Sequence, residues 1–279
     1  MSDLDGHFVW YELMTTDMAA AQAFYAKVVS FGMRDASAPG MPYTLLTAGA
    51  TAVGGLMALP AEARRMGAQP RWLGYVAVAD VDASVRRIKE LGGAVHIPPA
   101  DMPGIGRFAV VADPQGAILA LIKPSGPDEA PSDALDKAGH VGWHELLAGD
   151  GGKAFAVYRE LFGWRTAELE DNPDGAYQPF AAGAQTIGGV FTKPPIVATP
   201  FWLYYFNVAD ITAAAANVTT LGGRILEGPV DVPGGSRVAR CEDPQGAMFA
   251  LIEKRKDKAI GYFARGTSAP GAGGRRWSW

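Results

Sequence analysis

The sequence predicts an α+β protein made of two tandem copies of one domain. Three observations carry this: a long internal repeat, a fixed order of strand-like and helix-like segments within each copy, and turn motifs recurring at matching places. Gly6-His7-Phe8-Val9-Trp10-Tyr11-Glu12-Leu13 returns as Gly139-His140-Val141-Gly142-Trp143-His144-Glu145-Leu146. Leu91-Gly92-Gly93 returns as Leu221-Gly222-Gly223, and Asp113-Pro114-Gln115-Gly116-Ala117 returns unchanged at Asp243 to Ala247. Order is conserved between the halves and the spacing shifts by only a few residues, so chance similarity is excluded.

Each copy divides again. Phe8–Thr15 reads as a strand, and Asp17–Val29 as a helix whose first turn Asp17 can cap. Tyr43–Thr47 and Val53–Leu59 are strand candidates. A second unit opens with the strand Trp72–Ala79 and the helix Asp82–Leu91, stopped by Gly92-Gly93. Strands follow near Ala94–Ile97, Arg107–Ala112 and Ala117–Ile122, the last two joined through the turn residues Asp113-Pro114-Gln115-Gly116. The unit is strand, helix, three strands, twice per copy. The domains span 1–125 and 139–254, with a Pro-, Asp- and Ser-rich linker at 124–138 and a Gly-rich tail at 255–279.

Bulk properties narrow the partners. The chain has 279 residues, 48% hydrophobic and 19% charged, enough for two ordinary cores. A net charge of −4 supplies no basic field for nucleic acid. No apolar run reaches membrane-spanning length, the amino terminus is unlike a secretory signal, and Cys241 is the only cysteine. The expectation is a cytoplasmic monomer or homodimer.

The βαβββ unit, the Phe24-Tyr25 pair in its first helix and the Asp-Pro-x-Gly turn before its last strand together resemble the vicinal oxygen chelate superfamily of glyoxalase, bleomycin-resistance and extradiol-dioxygenase proteins. The resemblance implies a curved mixed sheet in each domain, helices on its convex side and a concave cup that usually holds a divalent metal. It also places the usual ligand positions at Trp10 and Trp143, near Leu73 and Leu203, and at Ala120 and Ala250. The strands Val53–Met57 and Ile187–Phe191, which would supply another ligand, contain no Asp, Glu or His. No metal and no cofactor are therefore expected. His7 and His140 lie an odd number of residues from the tryptophans, which puts them on the opposite strand face.

Alternation then lists the cup residues once the resemblance fixes the concave face. The first cup should show Trp10, Glu12, Met14, Leu73, Tyr75, Ile118, Ala120 and Ile122. The second should show Trp143, Glu145, Leu147, Leu203, Tyr205, Asn207, Met248, Ala250 and Ile252. Such apolar, aromatic-lined hollows with one carboxylate suit a small aromatic or apolar ligand. The tryptophans and tyrosines read equally well as core. Glu12 and Glu145 are either polar anchors, with general-base catalysis open to them, or structural carboxylates held by Arg107 or Arg237. His144, Asp113, Asp243 and Cys241 read as packing and turn residues. Three functions follow: metal-independent binding of a small molecule, for sequestration or detoxification; a lyase or isomerase using a cup glutamate; or an interaction module with cups filled by its own side chains.

Overall fold

The computed structural model describes residues 4–126, 134–168 and 177–254. Two eight-stranded mixed sheets, one in each copy, organise them. The first copy runs β1 (Phe8–Thr15), α1 (Met18–Val28), β2 (Gly32–Asp35), β3 (Tyr43–Ala48) and β4 (Thr51–Ala58). It continues through the short α2 (Ala61–Arg65) to β5 (Arg71–Ala77), α3 (Val81–Glu90), β6 (Ala94–Met102), β7 (Gly106–Ala112) and β8 (Ile118–Pro124). The second copy runs β9 (Val141–Ala148), α4 (Gly151–Phe162), β10 (Arg165–Thr166), β11 (Tyr177–Ala182), β12 (Gln185–Thr192), β13 (Phe201–Asn207), α5 (Ile211–Thr220), β14 (Arg224–Asp231), β15 (Arg237–Glu242) and β16 (Met248–Glu253). The strand order is β2-β3-β4-β1-β5-β8-β7-β6 in one sheet and β10-β11-β12-β9-β13-β16-β15-β14 in the other. In each sheet the two βαβββ units meet where their first strands pair antiparallel, at β1·β5 and β9·β13.

The predicted elements are present, and the short α2 is added to them. The second strand of the opening unit, β2, was not anticipated, because Gly32-Met33-Arg34-Asp35 has neither apolar alternation nor β-branched residues. The linker also begins inside β8, since Pro124 pairs with Gly106 at the sheet's end. The Gly-rich tail beyond residue 254 lies outside the described residues. None of the described helices is long and apolar enough to cross a membrane.

Each of the four principal helices starts at an aspartate, because a carboxylate there satisfies an amide that the helix itself cannot. Asp17 accepts from the Ala20 amide at 3.0 Å, Asp80 from Ala83 at 2.9 Å, Asp150 from Lys153 at 3.0 Å and Asp210 from Ala213 at 3.0 Å. The helices cover the face of each sheet that turns towards the other copy. α1 packs on α5 and α3 on α4, and one continuous apolar cluster runs through both copies from Leu13, Tyr25 and Trp72 to Leu146, Tyr158 and Trp202.

Polar contacts across this seam obey the internal two-fold. The Tyr25 hydroxyl donates to Asp243 at 3.0 Å and accepts from the Trp72 indole at 2.9 Å. Its counterpart Tyr158 donates to Asp113 at 3.0 Å and accepts from Trp202 at 3.2 Å. Both aspartates also accept two amides within their own turns. Burial pushes the Asp243 carboxyl up, an effect opposed by those hydrogen bonds.

On the two-fold itself Tyr11 meets His144, the residue at its own equivalent position, at 2.6 Å. His144 Nδ1 lies 2.6 Å from the Ile187 carbonyl, which can only accept, so the proton sits on Nδ1 and Nε2 accepts from the Tyr11 hydroxyl. The Phe8 ring stacks on the imidazole with centroids 4.2 Å apart. Burial holds the imidazole neutral, with its pKa down at about 3. An unfolded histidine titrates near 6.5, so between these values the unfolded chain binds the extra proton and stability falls as pH falls. Denaturation midpoints measured between pH 5 and 6.5 should decline steeply in the parent and much less in His144→Gln. The full span is on the order of 4–5 kcal/mol. Equal slopes in the two proteins would refute this account of the seam.

Candidate functional site

The faces turned away from the seam are the cups. In the first, β1 places Trp10, Glu12 and Met14 on one face, paired with Tyr75, Leu73 and Arg71 of β5. Ala120 and Ile122 of β8 and Val110 of β7 continue the apolar surface around them. Glu12 is 9% exposed. Its two oxygens accept from two phenols, Tyr43 at 2.9 Å and Tyr75 at 2.9 Å. The Trp10 indole donates to the Tyr43 hydroxyl at 3.3 Å. Among the described residues no cation pairs with Glu12. Burial raises its pKa, and the two phenolic hydrogen bonds offset only part of that shift.

Tyr43 reaches Glu12 from a strand two places away. That is possible because β4 puts Gly55 directly opposite Glu12. A Cβ at Gly55 would collide with the Tyr43 ring and hydroxyl. The second copy repeats the device: Gly189 lies opposite Glu145, and a Cβ there would strike the Tyr177 ring. Trp143 donates to Tyr177 at 2.8 Å, Tyr205 donates to Glu145 at 2.6 Å, and Tyr177 is itself hydrogen-bonded to Glu145.

The second cup then departs from the first. Arg240 on β15 reaches Glu145 at 2.8 Å, the Tyr205 hydroxyl at 3.1 Å and Glu227 at 2.5 Å, while its guanidinium is only 7% exposed. The corresponding position in the first copy is Val110, since Arg240 pairs with Ala250 as Val110 pairs with Ala120. One carboxylate is locked in a buried ion-pair network, and the other is left with hydroxyl partners.

Several expectations need correction. The arginine that holds a cup glutamate is neither Arg107 nor Arg237. Arg107 pairs with Asp82 and Asp101, and Arg237 bonds the Thr212 hydroxyl. The Asn207 amide nitrogen donates to the Leu135 and Lys137 carbonyls, fastening the end of the linker, while its Oδ1 is buried without a partner among the described residues. Ala120, Ala250 and Leu147 have no exposed surface and form closed floor, whereas Trp10 and Met14 stand half-buried at the first cup's rim. Trp143, Tyr75 and Tyr205 are buried beside their glutamates. His7 packs towards Gly183 of the other copy and His140 sits beside the Ala138 carbonyl, both outside the cups. Tyr43, Tyr177 and Arg240 were missed. Their sequence trace is slight: a tyrosine opening the same strand in both halves, and a glycine pair after each following strand begins.

The metal site that the resemblance implies does not fit these residues. The usual ligand positions hold an indole and apolar side chains, and each cup contributes one carboxylate at its centre. Burial and then the neighbouring Glu12 charge push the Tyr43 and Tyr75 phenols up, so they stay protonated and are poor metal donors. No group of three or more His, Cys, Asp or Glu converges among the described residues.

Comparison with known proteins agrees with the architecture. The profile described as Glyoxalase/Bleomycin resistance protein/Dioxygenase superfamily matches residues 7–121 and 137–251. A protein named "Putative glyoxylase CFP32" from Mycobacterium bovis is 33% identical over 247 residues, covering 88% of this chain and 93% of its own. "Anthracycline biosynthesis protein DauV" from Streptomyces sp. (strain C5) is 30% identical over 265 residues with the same coverage. Among solved structures, the Mn(II)-bound glyoxalase from Novosphingobium aromaticivorans superposes with a TM-score of 0.60 at 15% identity, covering 91% of this chain and 83% of that one. Homoprotocatechuate 2,3-dioxygenase from Arthrobacter globiformis gives 0.63 at 17% identity, with 91% and 81% covered. At these identities the structural likeness speaks for the fold.

The contrast between the glutamates can be measured. Glu145→Gln leaves Arg240 and its hydrogen bonds poorly paired in a buried site and should cost on the order of 3–5 kcal/mol. Glu12→Gln removes a buried charge with no cation and keeps groups able to bond both phenols. Its denaturation midpoint should stay within about 1 kcal/mol of the parent. Equal losses at both positions would contradict the assignment.

Proposed function

Because the chain belongs to the glyoxalase/bleomycin resistance protein/dioxygenase superfamily, we propose that it binds a small molecule in the first cup, without a metal, through Glu12. The supporting observation is the state of that carboxylate. It is buried against apolar and aromatic walls, held by two phenols, and free of the cation that neutralises its twin. A carboxylate kept in such surroundings costs stability, and groups perturbed in this way concentrate at functional sites. The half-buried Trp10, Met14 and Tyr43 border it, which suits a flat aromatic or apolar ligand carrying one hydrogen-bond donor. Relatives named for anthracycline biosynthesis are compatible with a flat aromatic ligand. The second cup, its glutamate tied to Arg240, is the structural copy.

A lyase or isomerase reading rests on the same residue, and relatives named for glyoxylase activity favour keeping it. A carboxylate whose pKa is raised by burial is a better proton acceptor near neutrality than one in water. In that reading Glu12 takes a proton from a carbon acid while Tyr43 and Tyr75 keep its oxygens in place and donate to it. Binding and catalysis share one requirement: the ionised carboxylate must face the ligand, so either activity should fade as pH falls through the raised pKa.

Protein purified without chelator should carry no stoichiometric Zn, Ni, Fe or Mn, and chelation should leave ligand binding intact; a metal per domain with chelator-sensitive activity would sink the metal-free reading. Calorimetric titration with a recognised ligand should show one strong site, abolished or weakened at least about tenfold in Glu12→Gln. Two indistinguishable sites, or a Glu12→Gln protein that binds and turns over as the parent does, would place the function elsewhere.

A further inference from the structure

A second hollow lies at the seam between the copies, where the ends of the two cups meet. It is a cleft of about 880 Å³, where the starts of β5 and β8 face the starts of β13 and β16. The turn glycines Gly116 and Gly246 border it, and residues Ile196 to Pro200 form one wall. Neither Glu12 nor Tyr75 reaches it. The volume falls within the range of ligand-sized pockets.

The chemistry of its walls is specific. Ile118, Phe201 and Met248 give apolar surface, and Ile196 and Leu226 stand at the cleft 77% and 44% exposed. Three arginines also line it, and two are already neutralised: Arg224 by Glu242 at 2.6 Å, and Arg240 by Glu145 and Glu227. Arg71 is different. Its guanidinium is half-buried, and among the described residues its one hydrogen bond runs to the Gln69 carbonyl at 3.3 Å, with no carboxylate paired to it. Burial accordingly lowers its pKa. Its counterpart across the two-fold is Phe201, since Arg71 pairs with Met14 as Phe201 pairs with Leu147.

We propose that this cleft is a binding site for a flat apolar monoanion, an aromatic carboxylate or sulfonate, whose charged group is received by Arg71. A guanidinium already partly stripped of water and lacking an anion gains most from one that brings its own apolar body to the cleft. Phe201 at the equivalent position means that the pseudo-symmetric arrangement offers this receptor once per chain. The apolar walls, including the Ile196 and Leu226 side chains, then cover the ring system. The proposal uses neither Glu12 nor its phenols and is tested separately from the first-cup reading.

The test uses the full chain and 8-anilinonaphthalene-1-sulfonate as probe, followed by fluorescence, with its neutral analogue N-phenyl-1-naphthylamine beside it. One sulfonate site per chain is expected. Arg71→Gln should weaken it at least about tenfold, Arg71→Lys should recover part of the loss, and the neutral analogue should be indifferent to both. Ile196→Asp, on a surface position where folding is safe, should weaken the sulfonate by repulsion, and it decides the matter alone if Arg71→Gln fails to fold. Glu12→Gln should leave the titration unchanged. Parent-like sulfonate binding in both Arg71→Gln and Ile196→Asp overturns the proposal, as does loss of the site in Glu12→Gln, which would put the probe in the cup.

Discussion

The structure depends on a tyrosine from the first helix of each copy reaching into the Asp-Pro-Gln-Gly turn of the other. Tyr25 donates to Asp243 and Tyr158 to Asp113, and each hydroxyl accepts a tryptophan indole from its own sheet. A buried carboxylate and a buried phenol are costly apart and satisfied together, so the two copies have one relative placement that leaves none of these groups orphaned. That placement turns the helical faces inward and leaves the opposite faces of both sheets for the cups. Positions of the sites are therefore a consequence of how the seam closes.

Within that frame both copies face the same problem, a carboxylate at the centre of an apolar sheet face, and they solve it differently. Each has Trp, Tyr, Glu and Tyr in one connected cluster, made possible by a glycine opposite the glutamate that lets a tyrosine ring cross the intervening strand. The second copy adds Arg240 and becomes a buried ion-pair network of the kind whose value lies in specifying a structure and whose disruption is expensive. The first has Val110 in that place and retains an ionisable group without a counter-ion. Two pairs of equivalent positions, Val110 against Arg240 and Ile97 against Glu227, thus separate the two carboxylate environments.

The seam shows the same divergence. Tyr11 and His144 occupy equivalent positions and meet on the two-fold, where two tyrosines or two histidines would compete for one role. Making one a donor and the other an acceptor satisfies both, and fixes the tautomer through the Ile187 carbonyl. Duplication within one chain permits this, because each half can change without its twin.

The sequence by itself determined the duplication, the βαβββ order, the four helices and the faces of the strands. These rest on local chemistry: period-two alternation, aspartate caps, glycine stops and turn motifs, all readable over a few residues. It also singled out Glu12 and Glu145 and their tryptophans, since a conserved face follows from spacing along one strand. What only the tertiary structure decided is which groups touch those glutamates. Tyr43 and Tyr177 arrive from two strands away and Arg240 lies 95 residues from Glu145, so no periodicity connects them. Arg107 and Arg237 seemed as suitable because composition gives the charge without its direction. Asn207, read as a cup residue, also holds the linker through its amide nitrogen, a contact that alternation along one strand does not reveal. Partners across a sheet are set by register and closure, which are properties of the folded chain as a whole.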